Sequence, residues 1–145
     1  MLEGQGARAV RILVVDDHSE CRRVAVHLLA TLGYEAIAAG NASEAEQIFR
    51  QDPTQIEVVM LDLFLGATAG VALARRLESQ RTGLRVLFMS GYDREEMCEA
   101  PDLLGPTRHF IGKPFSLAAL GAAITALLAG PTGDPGQGGG DRRAG

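Results

Sequence analysis

Val58-Val59-Met60-Leu61-Asp62 constrains this chain more than any other stretch. Four apolar residues run directly into a carboxylate, and the polypeptide then loosens at Leu65-Gly66-Ala67-Thr68-Ala69-Gly70. A short run with β-branched residues, apolar throughout, fits a strand covered on both faces, as in a parallel sheet. Asp62 then stands at the carboxyl end of that strand, the edge at which open α/β sheets bind ligands.

The same theme appears earlier. Arg11-Ile12-Leu13-Val14-Val15-Asp16-Asp17 is an apolar strand ending in carboxylates. Ser19 is positioned to cap the helix that follows. Cys21, Val24, Ala25, Leu28 and Leu32 share one helical face, and Gly33 stops it. Tyr34 to Ala38 is a more alternating strand, expected near a sheet edge. Asn41 and Glu44 have the spacing of a capping box. Ala45, Ile48 and Phe49 continue it as a short amphipathic helix that ends before Pro53. Beyond Asp62, a third helix is marked by Val71, Leu73, Ala74 and Leu77, with Arg75, Arg76 and Glu78 outward. Leu84 to Met89 is a fourth strand that stops at Ser90-Gly91. Asp93 to Cys98 reads as a short helix. His109 to Gly112 is a fifth strand, followed by Lys113-Pro114-Phe115. Ser116 caps a last helix with Leu117, Leu120, Ile124, Leu127 and Leu128 on one face.

Five strands alternating with five helices demand parallel β-α-β units with right-handed crossovers. The expected fold is α/β, a doubly wound five-stranded parallel sheet. One domain is expected over residues 10–129, after a short leader over 1–9. The Gly-rich stretch 130–145 has almost no apolar side chains to offset ordering entropy and is expected to be a disordered tail.

Composition excludes several partners. The net charge of −4 offers no electrostatic attraction for nucleic acid or an anionic membrane, and Arg142-Arg143 adds too little to change that. Nothing approaches the length of a transmembrane span, and no apolar signal core precedes the first strand, so a cytoplasmic location is expected. Cys21 and Cys98 lack metal-ligand spacing; Cys21 reads as a buried thiol in a reducing compartment. His18, His27 and His109 show no mutual spacing for metal, and His27 reads as solvated.

Polar chemistry gathers at four strand ends: Asp16 and Asp17, Asp62, Ser90, and Lys113. A parallel sheet brings these ends to one edge. Three carboxylates alone would repel and resist burial. A hard divalent cation resolves the conflict, and Mg²⁺ suits a site of one or two carboxylates, waters and a phosphate oxygen. A carboxylate can also act as a nucleophile that forms an acyl phosphate. Lys113 and the cation would then neutralise charge, while the Ser90 hydroxyl and the Gly91 N–H supply directed hydrogen bonds.

In their order and spacing, Leu13-Val14-Val15-Asp16-Asp17, Met60-Leu61-Asp62, Gly70, Ser90-Gly91 and Lys113-Pro114-Phe115 resemble the receiver domain of the response-regulator family of two-component signalling. Asp17 to Asp62 is 45 residues, Asp62 to Ser90 is 28, and Ser90 to Lys113 is 23. The resemblance covers about residues 10–129. It implies a flavodoxin-like sheet of strand order 2-1-3-4-5. It implies that Asp62 is the phosphoacceptor, taking a phosphoryl group from a phosphohistidine on a sensor histidine kinase or a histidine phosphotransfer domain. It further implies Asp17 as a direct Mg²⁺ ligand, Asp16 acting mostly through water, and the main-chain carbonyl of Phe64 completing the metal site. Ser90 and Lys113 would bind the phosphoryl group, Lys113 pairing with Asp62 before transfer. Phe110 occupies the aromatic switch position that turns inward when Ser90 moves.

Three positions depart from many relatives. Gly66 replaces a common Pro and Thr68 a common Met, so the loop after Asp62 is expected to be mobile, and the switch residue is Phe110 rather than Tyr. Phe64 and Tyr92 are expected to flank the phosphoryl group and slow its hydrolysis. A stand-alone regulator is expected from Met1, the short leader and the absence of room for an output domain. The terminal receiver of a hybrid sensor kinase is the other context. Outside signalling, a Mg²⁺-dependent phosphatase of the haloacid-dehalogenase kind would want a second Asp where Phe64 stands, and a substrate cap. A pseudo-receiver that only binds a partner protein is opposed by the filled site positions.

Overall fold

A computed structural model of the chain describes residues 9–51, 55–65, 68–91 and 104–130. The leader up to residue 8, the tail from residue 131, Cys98 and the expected helix over Asp93 to Cys98 lie outside the described residues.

The chain runs β1 (Arg11–Val15), α1 (Ser19–Thr31), β2 (Glu35–Ala39), α2 (Ala42–Gln51), β3 (Val58–Asp62), β4 (Phe64–Leu65), β5 (Thr68–Ala69), α3 (Gly70–Glu78), β6 (Arg85–Ser90), β7 (Arg108–Gly112) and α4 (Leu117–Leu128). Five strands form one parallel sheet in the order β2-β1-β3-β6-β7. Counting only these five along the chain, the order is 2-1-3-4-5, as expected. β3 is central, and all five of its residues are buried.

The pleat divides the core into two layers, because successive strand residues face opposite sides. Leu13, Val15, Val59, Leu61, Val86 and Phe88 pack against Phe49 of α2 and Leu73 and Leu77 of α3. Ile12, Val14, Val58, Met60, Leu87 and Met89 pack against Leu29 of α1 and Leu120, Ile124 and Leu127 of α4. Helices on both faces explain why β1, β3 and β6 read as continuous apolar runs rather than alternating ones.

Local signals account for most element ends. At α1, Gly33 takes φ +93°, donates to the Ala30 carbonyl at 3.0 Å, and lets Tyr34 donate to Leu29 at 3.0 Å. These two bonds make a Schellman closure, which a residue with a Cβ closes poorly. Tyr34 is thereby spent on the helix, so β2 starts one residue later than expected. At α2, Asn41 Oδ1 accepts from the Glu44 N–H at 2.8 Å, and Glu44 Oε1 reaches back to the Gly40 N–H at 2.8 Å. At α4, Ser116 Oγ accepts from the Ala119 N–H at 3.0 Å.

Three expectations are corrected. Ser19 does not cap α1: His18 is the N-cap and makes no side-chain cap bond, while Asp16 Oδ1 takes the His18 N–H at 2.9 Å. The inward face of α1 is Ala25 and Leu29, flanked by Leu28 and Leu32; Cys21 is exposed, not buried, and Val24 is 53% exposed. Cys21 and Val24 instead line a cavity with Met89 of β6 and with Lys113, Pro114 and Phe115. The segment after Asp62 is not a plain loop: Phe64–Leu65 pairs antiparallel with Thr68–Ala69.

Candidate functional site

Asp16, Asp17, Asp62, Ser90 and Lys113 stand at the carboxyl edge of the sheet, Phe110 lies within β7, and the pleat decides which of them meet. Met60 faces the α1/α4 layer, so Asp62, two residues on, faces it too. By the same count Val14 leads to Asp16 and Ile111 to Lys113. These three side chains therefore converge on one side of the edge. Lys113 Nζ donates to Asp62 Oδ2 at 2.7 Å and to Asp16 Oδ2 at 2.8 Å. Asp16 is fully buried and Asp62 is 6% exposed, so both ion pairs lie in a largely water-free setting. Burial works to lower the Lys113 pKa, but the hydrogen bonds from Asp16 and Asp62 and their charges outweigh it and hold the ammonium above the usual lysine range.

Ser90 has the opposite parity, following Phe88 on the α3 side. It ends β6 beside the Asp62–Met89 register pair and is buried. Its carbonyl accepts the Lys113 N–H at 2.8 Å, which ties the Lys113 turn to β6. The Lys113–Pro114 peptide is cis. Phe110 is half-buried, opposite Phe88 in the β6–β7 register, and packs against the α2/α3 layer. Beside it, Arg108 grips Glu78 of α3 through two bonds, 2.9 and 2.7 Å. The bond to Glu78 first, against burial, keeps the guanidinium above its usual pKa.

Gly70 belongs to the site for a steric reason. Its N–H donates to the Leu63 carbonyl at 2.7 Å, and α3 starts directly against the end of β3. A Cβ here would collide with the Asp62 carbonyl oxygen and lie 2.9 Å from Leu63 Cα, all backbone that cannot step aside.

The acidic set is one group in space. Ligand atoms of Asp16, Asp17, His18 and Asp62 all lie within 4.8 Å of one another. Asp17 is exposed, and Asp16 is held by the His18 N–H and through its carbonyl by Arg22 at 2.7 Å. Two buried or half-exposed carboxylates beside Asp62, all oxygen donors, suit a hard divalent cation. The contact of Lys113 with Asp16, the Arg22 anchor and the nearness of His18 were not legible in the sequence. The Phe64 side chain and Tyr92 lie outside the described residues.

A cavity of about 410 Å³ opens beside this group, lined by Asp16, Glu20, Cys21, Val24, Lys113 and Phe115 among others. Its apolar wall includes the start of α1.

Comparison with known proteins identifies the family. The family model described as the response regulator receiver domain matches residues 12–125. The chain belongs to that family. This receiver is 26% identical over 118 residues to the sporulation initiation phosphotransferase F of Bacillus subtilis, covering 81% of this chain and 93% of that protein. It is 27% identical over 118 residues to the sensor kinase CckA of Brucella abortus, covering 81% of this chain but only 12% of the kinase. It spans about half of the matched transcriptional regulators. The chemotaxis protein CheY4 of Vibrio cholerae has the same fold, with TM-score 0.73 and 22% identity over 83% of this chain and all of that one. A receiver is a signalling module. Among the described residues, no helix is long and apolar enough to cross a membrane.

Proposed function

We propose that residues 10–129 form a phosphoacceptor receiver that takes a phosphoryl group from a phosphohistidine onto Asp62. The observation that carries this reading is the buried Asp62 carboxylate, pinned by Lys113 at the end of the central strand. In the transfer, an Asp62 carboxylate oxygen attacks phosphorus, the P–N bond to the partner's imidazole breaks, and that bond's electron pair leaves with the imidazole nitrogen. The product is an acyl phosphate, which water later hydrolyses.

Lys113 is positioned to follow the charge. It neutralises the carboxylate before transfer and the phosphoryl oxygens after it. Asp16, Asp17, Asp62 and the Phe64 main-chain carbonyl would hold Mg²⁺, which when bound neutralises phosphoryl oxygens. Ser90 and the Gly91 N–H supply hydrogen bonds from the α3 side. Movement of Ser90 toward the new phosphoryl group would vacate space next to Phe110, and Phe110 turning inward would carry the change to the surface of β7. Such a switch needs two states separated by a few kcal/mol.

The donor is a sensor histidine kinase or a histidine phosphotransfer domain. To bring its phosphohistidine to Asp62, the partner must cover the carboxyl edge of the sheet, where the cavity with Val24 and Phe115 offers an apolar seat. The module transmits a signal rather than turning over a substrate, and it acts in the cytoplasm.

Intact-mass measurement after incubation with Mg²⁺ and a small phosphodonor tests this. One added phosphate is expected on the wild type, and none on Asp62→Asn or on a metal-free sample. No uptake by the wild type under any condition would leave a module that only binds a protein partner.

A further inference from the structure

His18 borders the carboxylates that would hold the proposed cation. It is the N-cap of α1, with φ −93° and ψ 114°, and its own N–H is held by Asp16 Oδ1. That bond turns the imidazole toward the carboxylates. Its Nδ1 lies 3.3 Å from Asp17 Oδ1 and 3.6 Å from Asp16 Oδ1. Lys113 takes Oδ2 of both Asp16 and Asp62, so the Oδ1 side of Asp16, shared with Asp17 and His18, is the side on which a cation would sit. The donor atoms of the four residues span at most 4.8 Å. Two ligands on opposite sides of a small divalent ion stand about 4.2 Å apart, twice a ligand distance of about 2.1 Å. The His18 distances to Asp16 and Asp17 already fall within that spacing.

We infer that His18 contributes a nitrogen ligand to this site and raises its affinity for borderline divalent metals, such as Zn²⁺, relative to Mg²⁺. The inference rests on the reading of the acidic group as the receiver's cation site. Oxygen-only sites suit Mg²⁺, whereas an imidazole suits Zn²⁺. The neutral ring offers the Nδ1 lone pair to the metal, leaving Nε2–H toward solvent, where the side chain is 72% exposed.

The test uses the untagged full chain. Pulsed EPR of bound Mn²⁺ reads directly whether a nitrogen is coordinated. The expected result is a nitrogen modulation in the wild type that is lost in His18→Ala and kept in His27→Ala. Calorimetric titration with Mg²⁺ and with Zn²⁺ is expected to show the Zn²⁺-to-Mg²⁺ affinity ratio falling at least about tenfold in His18→Ala. Mn²⁺ bound without nitrogen modulation, or an unchanged ratio, overturns the inference and leaves the receiver chemistry standing. Equal metal binding by the wild type and Asp17→Asn would instead overturn the cation site itself, and the inference with it.

Discussion

Lys113 carries one ammonium between two buried carboxylates, and that imbalance sets its behaviour. Removing it takes away the ammonium that both Asp16 and Asp62 contact. Lys113→Met is expected to lose about 1–3 kcal/mol of stability in urea unfolding without metal. Divalent cation should return part of that loss by taking over the neutralisation. Its pH dependence follows from the raised folded pKa. The ion pairs contribute fully below the ordinary lysine value of about 10.4, and the contribution fades as pH rises through the higher folded value. The stability gap between wild type and Lys113→Met should therefore be flat from neutral pH to about 10 and narrow above it, as repeated unfolding curves will show. That Lys113 stands at the strand-end edge with Asp62 was legible in the sequence, because it follows a strand and precedes Pro114. Its second partner was not, since Asp16 lies 97 residues away and only the pleat parity brings the two together.

At the scale of elements, the helix starts separate structure from function. Ser116→Ala removes one acceptor from the end of α4 and is expected to cost about 1 kcal/mol with phosphate uptake unchanged. Gly70→Ala acts differently. Its Cβ would strike the Asp62 carbonyl, so either α3 or the end of β3 must move. A loss of about 1–3 kcal/mol is expected, accompanied by slower phosphorylation, read by thermal unfolding and by intact mass over time. The caps at Asn41 and Ser116 were legible because a cap is a matter of three or four adjacent residues. The start of α1 was not. There the carboxylate of Asp16 takes the N–H of the N-cap residue His18, and Ser19 falls inside the helix.

For the whole molecule, a cation held at the sheet edge would couple binding to folding. No compact site exists in an unfolded chain, because Asp17 and Asp62 are 45 residues apart. A cation that binds only the folded state at 100 times its Kd should add about 2.7 kcal/mol. Thermal melts with Mg²⁺ and with a chelator will measure this, and Asp17→Asn is expected to lose the difference.

Among the described residues, the alternation of strand and helix, the all-apolar run of β3 into Asp62, the stop at Gly33 and the polar residues at the strand ends were all written in contiguous residues. Local patterns of apolar spacing, caps and breakers determine such features without reference to distant partners. Tertiary structure decided the rest. It put Ser90 on the α3 side and Lys113 with Asp16 and Asp62 on the other, because parity has meaning only once the strands are in register. It exposed Cys21 and Val24, because whether a helical face is covered depends on which elements pack over it. It brought His18 into the acidic group, because the direction of a side chain at a helix start is set by the backbone turn that the Asp16 carboxylate holds.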